Sequence, residues 1–124
     1  MNELKIATCL RWIDCLQNAN SPIDALIKKG VDKVVVYGIA DLGLRFVNEA
    51  VKKNYTIAAI TDAKINLGDY SYRGIPVIRR NDLILPRYED CEVVVTAMSF
   101  YEEIKKQLEE YHVKKIISLL ELME

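Results

Sequence analysis

The chain has 124 residues, of which 51% are apolar and 28% charged, a size and composition that suit one domain with a core large enough to fold without disulfides. Its 17 basic and 18 acidic residues leave a net charge of −1, so neither a basic excess for nucleic acid nor an acidic solvating tail is present. Cys9, Cys15 and Cys91 are odd in number and widely spaced, which suggests reduced thiols in a cytoplasmic protein, and no leader-like start or run of about 18 apolar residues suggests a signal peptide or a membrane span.

In chain order, residues 2–18 read as an amphipathic helix. Ile6, Leu10, Ile13 and Leu16 recur at near-helical spacing, with Cys9 and Trp12 beside them. Such a helix either lies on the outer layer of a sheet domain or uses Trp12 as a contact to a second copy or a partner protein. Residues 18–22 break it. Ser21 suits an N-cap, Pro22 the first helical turn and Asp24 the positive end of a second helix, which Lys28-Lys29-Gly30 stops. Residues 1–30 are thus a helical lead-in, and residues 31–124 a sheet domain within the same unit.

Residues 33–43 carry the strongest signal. Lys33 to Tyr37 is a β-branched run suited to a strand buried on both faces. The turn Gly38-Ile39-Ala40-Asp41-Leu42-Gly43 departs from the G-x-G-x-x-G dinucleotide fingerprint at one position, Ala40. A helix follows at once, and Gly43, Val47, Ala50 and Val51 share one face. Gly43 therefore sits where a missing side chain permits close helix–strand contact.

Residues 55–62 form a second buried strand ending in Asp62, which follows Gly43 by 19 residues. An acid at about that distance accepts hydrogen bonds from the ribose in dinucleotide folds. The loop 63–74, with Gly68, Tyr70 and Tyr72, is long for such a connection and its tyrosines are expected to cover the sheet edge. Residues 75–78 make a short strand, with Pro76 confining it to an edge or a strand start. Arg79 and Arg80 read as a solvated pair, and residues 81–86 as at most a short helix stopped near Pro86. Residues 92–96 are the next buried strand. Ser99 and Glu102 form an S-x-x-E capping box for a helix from Phe100 to about Tyr111, and residues 115–119 close the sheet. This alternation predicts a three-layer α/β domain with a mostly parallel five-stranded sheet, order 3-2-1-4-5. A ligand cleft then falls beyond the carboxyl ends of the first and fourth strands, between residues 38–43 and Thr96-Ala97.

Catalytic constellations are sparse. Tyr101 and Lys105 share a helical face as Y-x-x-x-K, but Glu102, Glu103, Lys106, Glu109 and Glu110 make that helix an ordinary charged one. His112 has no evident nucleophilic or metal-binding partner, and Cys91 beside a buried strand reads as packing. No catalytic residue and no metal site is assigned.

The segments Val36-Tyr-Gly-Ile-Ala-Asp-Leu-Gly43, Ile60-Thr-Asp62, Gly74-Ile-Pro-Val77 and Val93-Val-Val-Thr-Ala97, in this order, resemble the small Rossmann-like domain attached to bacterial surface-polysaccharide proteins. Those include glycosyltransferases, phosphocholine-transferase-like proteins and sugar-nucleotide epimerases or dehydratases, and the lead-in with Trp12 and Ser21-Pro-Ile is similar too. The resemblance implies an accessory domain binding NAD or a nucleotide-sugar, with Gly38, Gly43 and Asp62 in matching positions. The expected binding residues are Gly38, Ile39, Ala40, Asp41, Leu42, Gly43, Asp62, Thr96 and Ala97. The methyl of Ala40 obstructs a pyrophosphate's approach, and Asp41 is placed to cap the helix N–H groups itself and to repel a diphosphate. Two other classes stay open: a docking or oligomerisation domain that kept the shape without the ligand, and a small NAD-dependent oxidoreductase or epimerase.

Overall fold

Val34, Val35, Val36 and Tyr37 are all buried, and the fold grows outward from them. The computed structural model describes residues 3–17, 21–65 and 70–123, the side chains of residues 14–17 excepted. The break at residues 18–20, the side chains of Cys15 and Leu16, and Gly68 therefore lie outside the described residues. In chain order the elements are α1 (Glu3–Gln17), α2 (Pro22–Lys28), β1 (Lys33–Tyr37), α3 (Asp41–Lys52), β2 (Thr56–Asp62), β3 (Tyr70–Tyr72), β4 (Ile75–Arg79), β5 (Glu92–Val95), α4 (Tyr101–Glu110) and β6 (Ile116–Ser118). Short 3-10 turns lie at Arg80–Ile84, Pro86–Tyr88, Met98–Phe100 and Glu121–Met123.

The sheet is six-stranded and mixed, in the order β3-β4-β2-β1-β5-β6. Neighbours are parallel except β3 and β4, which pair antiparallel. The order thus differs from the five-stranded 3-2-1-4-5 expectation, because the loop expected at 63–74 supplies an extra edge strand. Its tight turn is Arg73-Gly74, with φ of 52° and 82°, as a two-residue hairpin turn of matching twist requires. Arg-Gly is not the usual Asn-Gly signal, so the hairpin was hidden in polar sequence. β4 is consequently not an edge strand. Pro76 is tolerated because it faces Ser71 of β3 and precedes the β2 ladder, which starts at Val77.

Alternation along β1 divides the core. Val34 and Val36 pack with Trp12, Ile23, Leu26, Phe46 and Val47 on one face. Val35 and Tyr37 pack with Leu83, Tyr88, Ile104 and Leu108 on the other. Helices therefore cover both faces, as a buried parallel sheet demands.

Three helices stop in the same way. After α2, Gly30 N–H donates to Ile27 O at 3.0 Å and Val31 N–H to Leu26 O at 3.1 Å. Asn54 and Tyr55 do the same to Val51 and Ala50 after α3, and His112 and Val113 to Glu109 and Leu108 after α4. Gly30, Asn54 and His112 carry the required positive φ. His112 is an exposed helix terminator.

Two start signals fail. The Ser99–Glu102 capping box does not form; α4 begins at Tyr101, and its N-cap, Phe100, makes no side-chain cap bond. The turn Met98–Phe100 buries Met98 and leaves Ser99 exposed one position too early to cap the helix. α1 is turned over relative to its apparent stripe. Trp12 is buried in the core at 1% exposure, so it is no contact to another molecule, whereas Ile6, Leu10 and Ile13 face outward. Periodicity identifies residues that share a face, not which face packs, and the larger area of Trp12 wins.

The second helix starts as its sequence indicates. Ser21 Oγ accepts from Asp24 N–H at 3.2 Å, while Asp24 Oδ2 accepts from Ser21 N–H at 3.1 Å. Lys53, at the end of α3, donates to Ser21 Oγ at 3.0 Å and to both Asp24 oxygens at 3.0 and 2.9 Å, tying the lead-in to the sheet domain. Lys53 and the Ser21 N–H hold the Asp24 carboxyl below its ordinary value of 3.8. Ser21→Ala should cost about 1 kcal/mol in urea unfolding, the usual loss for an N-cap. The Asp24 contribution is complete above the ordinary carboxylate value and fades as pH falls through the lower folded value. The stability gap between the parent and Asp24→Asn, a modest one because the pair is partly exposed, should therefore narrow between about pH 7 and pH 3. An unchanged gap would refute this.

Candidate functional site

β1 and β5 end side by side, and the chain leaves them in opposite senses. From β1 it enters α3 on one face of the sheet; from β5 it enters α4 on the other. A crevice must open where the two connections part. Thr96 N–H donates to Tyr37 O at 2.9 Å, and the buried Thr96 Oγ1 donates to the same carbonyl at 3.1 Å, locking the two strand ends together. Gly38, with φ of 131°, turns the chain away, its N–H held by Thr61 O at 2.8 Å.

Both glycines of the turn are sterically required. A Cβ on Gly38 would collide with Thr96 Oγ1 and lie 3.3 Å from Ala97 N. One on Gly43 would overlap the Gly38 carbonyl and lie 2.9 Å from Thr96 Oγ1. The first turn of α3 thus rests directly on the backbone of the β1 exit, with Thr96 wedged beneath.

The two carboxylates flanking the turn have different roles. Asp62, at the end of β2, accepts from Ile39 N–H at 3.1 Å through Oδ2 and from Lys64 N–H at 3.0 Å through Oδ1. It braces the glycine turn, and each oxygen retains a further lone pair. Asp41 does not cap the helix. Ala40 is the N-cap, in extended conformation, and it makes no side-chain cap bond to the first-turn N–H groups. The Asp41 side chain is 93% exposed and lies 3.8 Å from Lys5 Nζ of α1. At the first helical position it is turned to solvent, with the Lys5 ammonium of α1 alongside.

A cavity of about 130 Å³ opens at this junction. Of the expected binding residues, Gly38, Ala40, Leu42, Gly43, Asp62, Thr96 and Ala97 line it; Ile39 and Asp41 do not, the former being packed against the core and the latter turned to solvent. Lys5, Met98, Ser99 and Phe100 also line it. The last three follow Thr96-Ala97 directly, so their presence could have been anticipated from adjacency. Nothing near Lys5 in sequence reveals that α1 passes over the mouth of the turn. The start of α3, which carries the positive end of the helix dipole, and Lys5 thus both border the cavity.

The remaining candidate chemistry lies elsewhere. Tyr101 OH meets Glu121 Oε1 at 3.3 Å, and burial, reinforced by Glu121, pushes its pKa up to about 12, the opposite of an activated phenol. Burial likewise raises the Cys91 thiol, which packs within the α4-side core. Among the described residues no cluster of His, Cys, Asp or Glu could hold a metal ion, and no helix is long and apolar enough to cross a membrane.

The model of a family described as C2185-like, N-terminal, matches residues 30–117, from the end of the helical lead-in into β6. No curated protein and no solved structure matches the chain.

Gly43→Ala should destabilise the protein by about 3 kcal/mol or more, at or above the usual overpacking range, because the obstacle is backbone and cannot rotate away. Gly30→Ala is the control. It has the positive φ, 75°, that Gly43 lacks, and open space where Gly43 has none, so it should lose only the roughly 1–2 kcal/mol of a left-handed residue. Urea unfolding of both variants decides; equal losses would refute the steric requirement at Gly43.

Proposed function

The chain belongs to the C2185-like, N-terminal family, and we propose that it is a Rossmann-like module that binds a nucleotide or nucleotide-sugar, NAD among the candidates, without catalytic activity of its own. On this reading it serves as a cytoplasmic accessory domain in bacterial surface-polysaccharide or sugar metabolism. The observation that carries the binding is the cavity itself. It sits where the β1 and β5 connections diverge, and its walls are the glycine turn, the uncapped start of α3 and Lys5. That position and those donors favour a phosphate-bearing ligand.

The volume limits how such a ligand sits. About 130 Å³ is well below the roughly 300–1,000 Å³ of a site enclosing a whole small molecule. The cavity takes one phosphate group, and the remainder of the ligand lies over the rim. Asp62 stands on one side with lone pairs free for a ribose hydroxyl. Phe100, 61% exposed on the other side, presents a ring for stacking.

A second reading, a docking domain without a small ligand, is favoured by one specific observation: the apolar outer side of α1 is exposed.

The two readings separate on Ala40 and Asp41. The Ala40 methyl lines the cavity, and Asp41 engages the nearest cation. Ala40→Gly with Asp41→Asn removes the obstruction and frees Lys5. The double variant should bind NAD more tightly than the parent by about 1–2 kcal/mol, as a relieved clash together with a charge term of about 0.3–1 kcal/mol implies. The parent should bind weakly or below detection. Titration calorimetry on both proteins decides it. Tight binding by the parent, or no gain in a folded double variant, rules out this account of the turn.

A further inference from the structure

We infer that the groove between α1 and α3 binds a free α-amino acid, its ammonium held by Glu49 and its carboxylate by Arg45 and the Trp12 indole N–H. The groove encloses about 770 Å³, within the roughly 300–1,000 Å³ of small-molecule sites. Trp12 lines it at 1% exposure, and its Nε1–H meets no acceptor among the described residues. Glu49 lines it as well, and its Oε1 is buried without a donor among them. A donor and an acceptor thus stand unmet beside one cavity, each against the rule that buried polar groups are hydrogen-bonded.

Ordinary pairing is open to Glu49 and is not used. Arg45 lies four residues before it, Lys52 three after and Lys53 four after, the spacings at which helical side chains meet. Arg45 instead lies over the Trp12 ring, 5.8 Å from its centroid. Lys53 is taken by Ser21 and Asp24, and Lys52 forms no ion pair among the described residues. The other polar groups of the groove are engaged: Asp41 faces Lys5, and Asn48 Oδ1 accepts from Tyr72 and Arg73. One carboxylate, the Arg45 and Lys52 cations and one indole N–H are left unspent.

That set of groups selects a zwitterion. A simple anion would be repelled by Glu49 and leave it unmet, and a simple cation would do the same at Arg45. A ligand carrying both charges meets both through charge-assisted hydrogen bonds, and the arginine fork takes a carboxylate in two parallel bonds. Arg45 and Glu49 stand one helical turn apart, about 5–6 Å between Cβ atoms, which suits opposite charges joined through a single carbon. Trp12 is too deep to meet another chain, but a small molecule reaches the floor of a groove, and the exposed Arg45 turns from the ring toward the incoming carboxylate. The remaining volume, beside Leu44, takes the amino-acid side chain. None of this rests on the nucleotide reading, since only Asp41 of the glycine turn borders the groove.

Trp12 is the one tryptophan of the chain, so its fluorescence reads the site directly. Titrating the full chain with glycine, leucine or glutamine should shift the emission and saturate, with a dissociation constant of about 1 mM or tighter by calorimetry. Acetate and methylamine, each one half of the zwitterion, and glucose, a neutral polyol, should bind at least tenfold more weakly. Glu49→Gln keeps the shape and removes the charge, and it should weaken glycine binding about tenfold or more, as loss of a charge-assisted hydrogen bond implies. Should that variant lose its fold, Arg45→Gln, on an exposed residue, serves in its place with the same expectation. No saturable response to any of the three amino acids at millimolar concentration, glucose or acetate binding as tightly as glycine, or undiminished glycine binding by the folded variant would each overturn the proposal.

Discussion

The contact between the Gly38 carbonyl and the α-carbon of Gly43 is the constraint on which the rest of the molecule depends. It sets how closely α3 can approach the sheet, because the first turn of the helix rests on the last peptide of β1. Thr96 completes the junction from the neighbouring strand, with its hydroxyl filling the space a side chain on either glycine would take. Three chain segments far apart in sequence thus meet at one point with no spare volume. Close packing there lets Phe46, Val47 and Ala50 descend onto Val34 and Val36. The same closeness brings the start of α3 to the wall of the cavity. Fold and candidate site share a single steric solution.

α1 shows how a local pattern can be correct yet misassigned. Ile6, Leu10 and Ile13 do share a face, but the domain takes the other one. Trp12 buries more surface than any of them, and Arg45 stacks over its ring at 5.8 Å. Among the described residues its indole Nε1 is buried without a partner, and so is one carboxylate oxygen of Glu49 on the adjoining stretch of α3. Buried unpaired polar atoms are costly. The seating of α1 is thus a compromise in which apolar burial of the indole outweighs its unmet hydrogen bond. The lead-in is secured more firmly at α2, where Lys53 closes onto Ser21 and Asp24.

What could be read from sequence was whatever is decided within a few residues. The runs Lys33–Tyr37 and Glu92–Val95 are buried strands because β-branched residues continue without polar interruption, and Thr56–Asp62 because its centre, Ile57 to Ile60, is wholly apolar. The Ser21 cap, the steric need at Gly43 and the cluster of Gly38, Ala40, Leu42 and Gly43 with Asp62, Thr96 and Ala97 follow from equally local rules. The failures all needed information from elsewhere in the chain. The β3–β4 hairpin depends on Arg73 adopting a left-handed conformation that its residue type does not advertise. The capping box at Ser99 is displaced by the burial of Met98. Asp41 would be a cap in an isolated helix, but the turn assigns that position to Ala40 and α1 brings Lys5 beside it.

The electrostatic character of the cavity follows from how these charges are disposed. Asp62 is committed to two backbone N–H groups, so its charge is largely spent on holding the turn. Asp41 and Lys5 are close enough to offset one another at the rim. What remains uncompensated is the start of α3, equivalent to roughly half a positive charge carried by fixed N–H groups. Attraction at such a site is short-ranged and directional. It comes from hydrogen bonds whose orientation is set by the Gly38–Gly43 contact, not from a diffuse positive field. On the binding proposed above, a group with several oxygens able to meet the helix N–H groups at once is favoured over an anion drawn only by net charge. The near-neutral composition of the whole chain reinforces this, since it adds no long-range field to override local geometry.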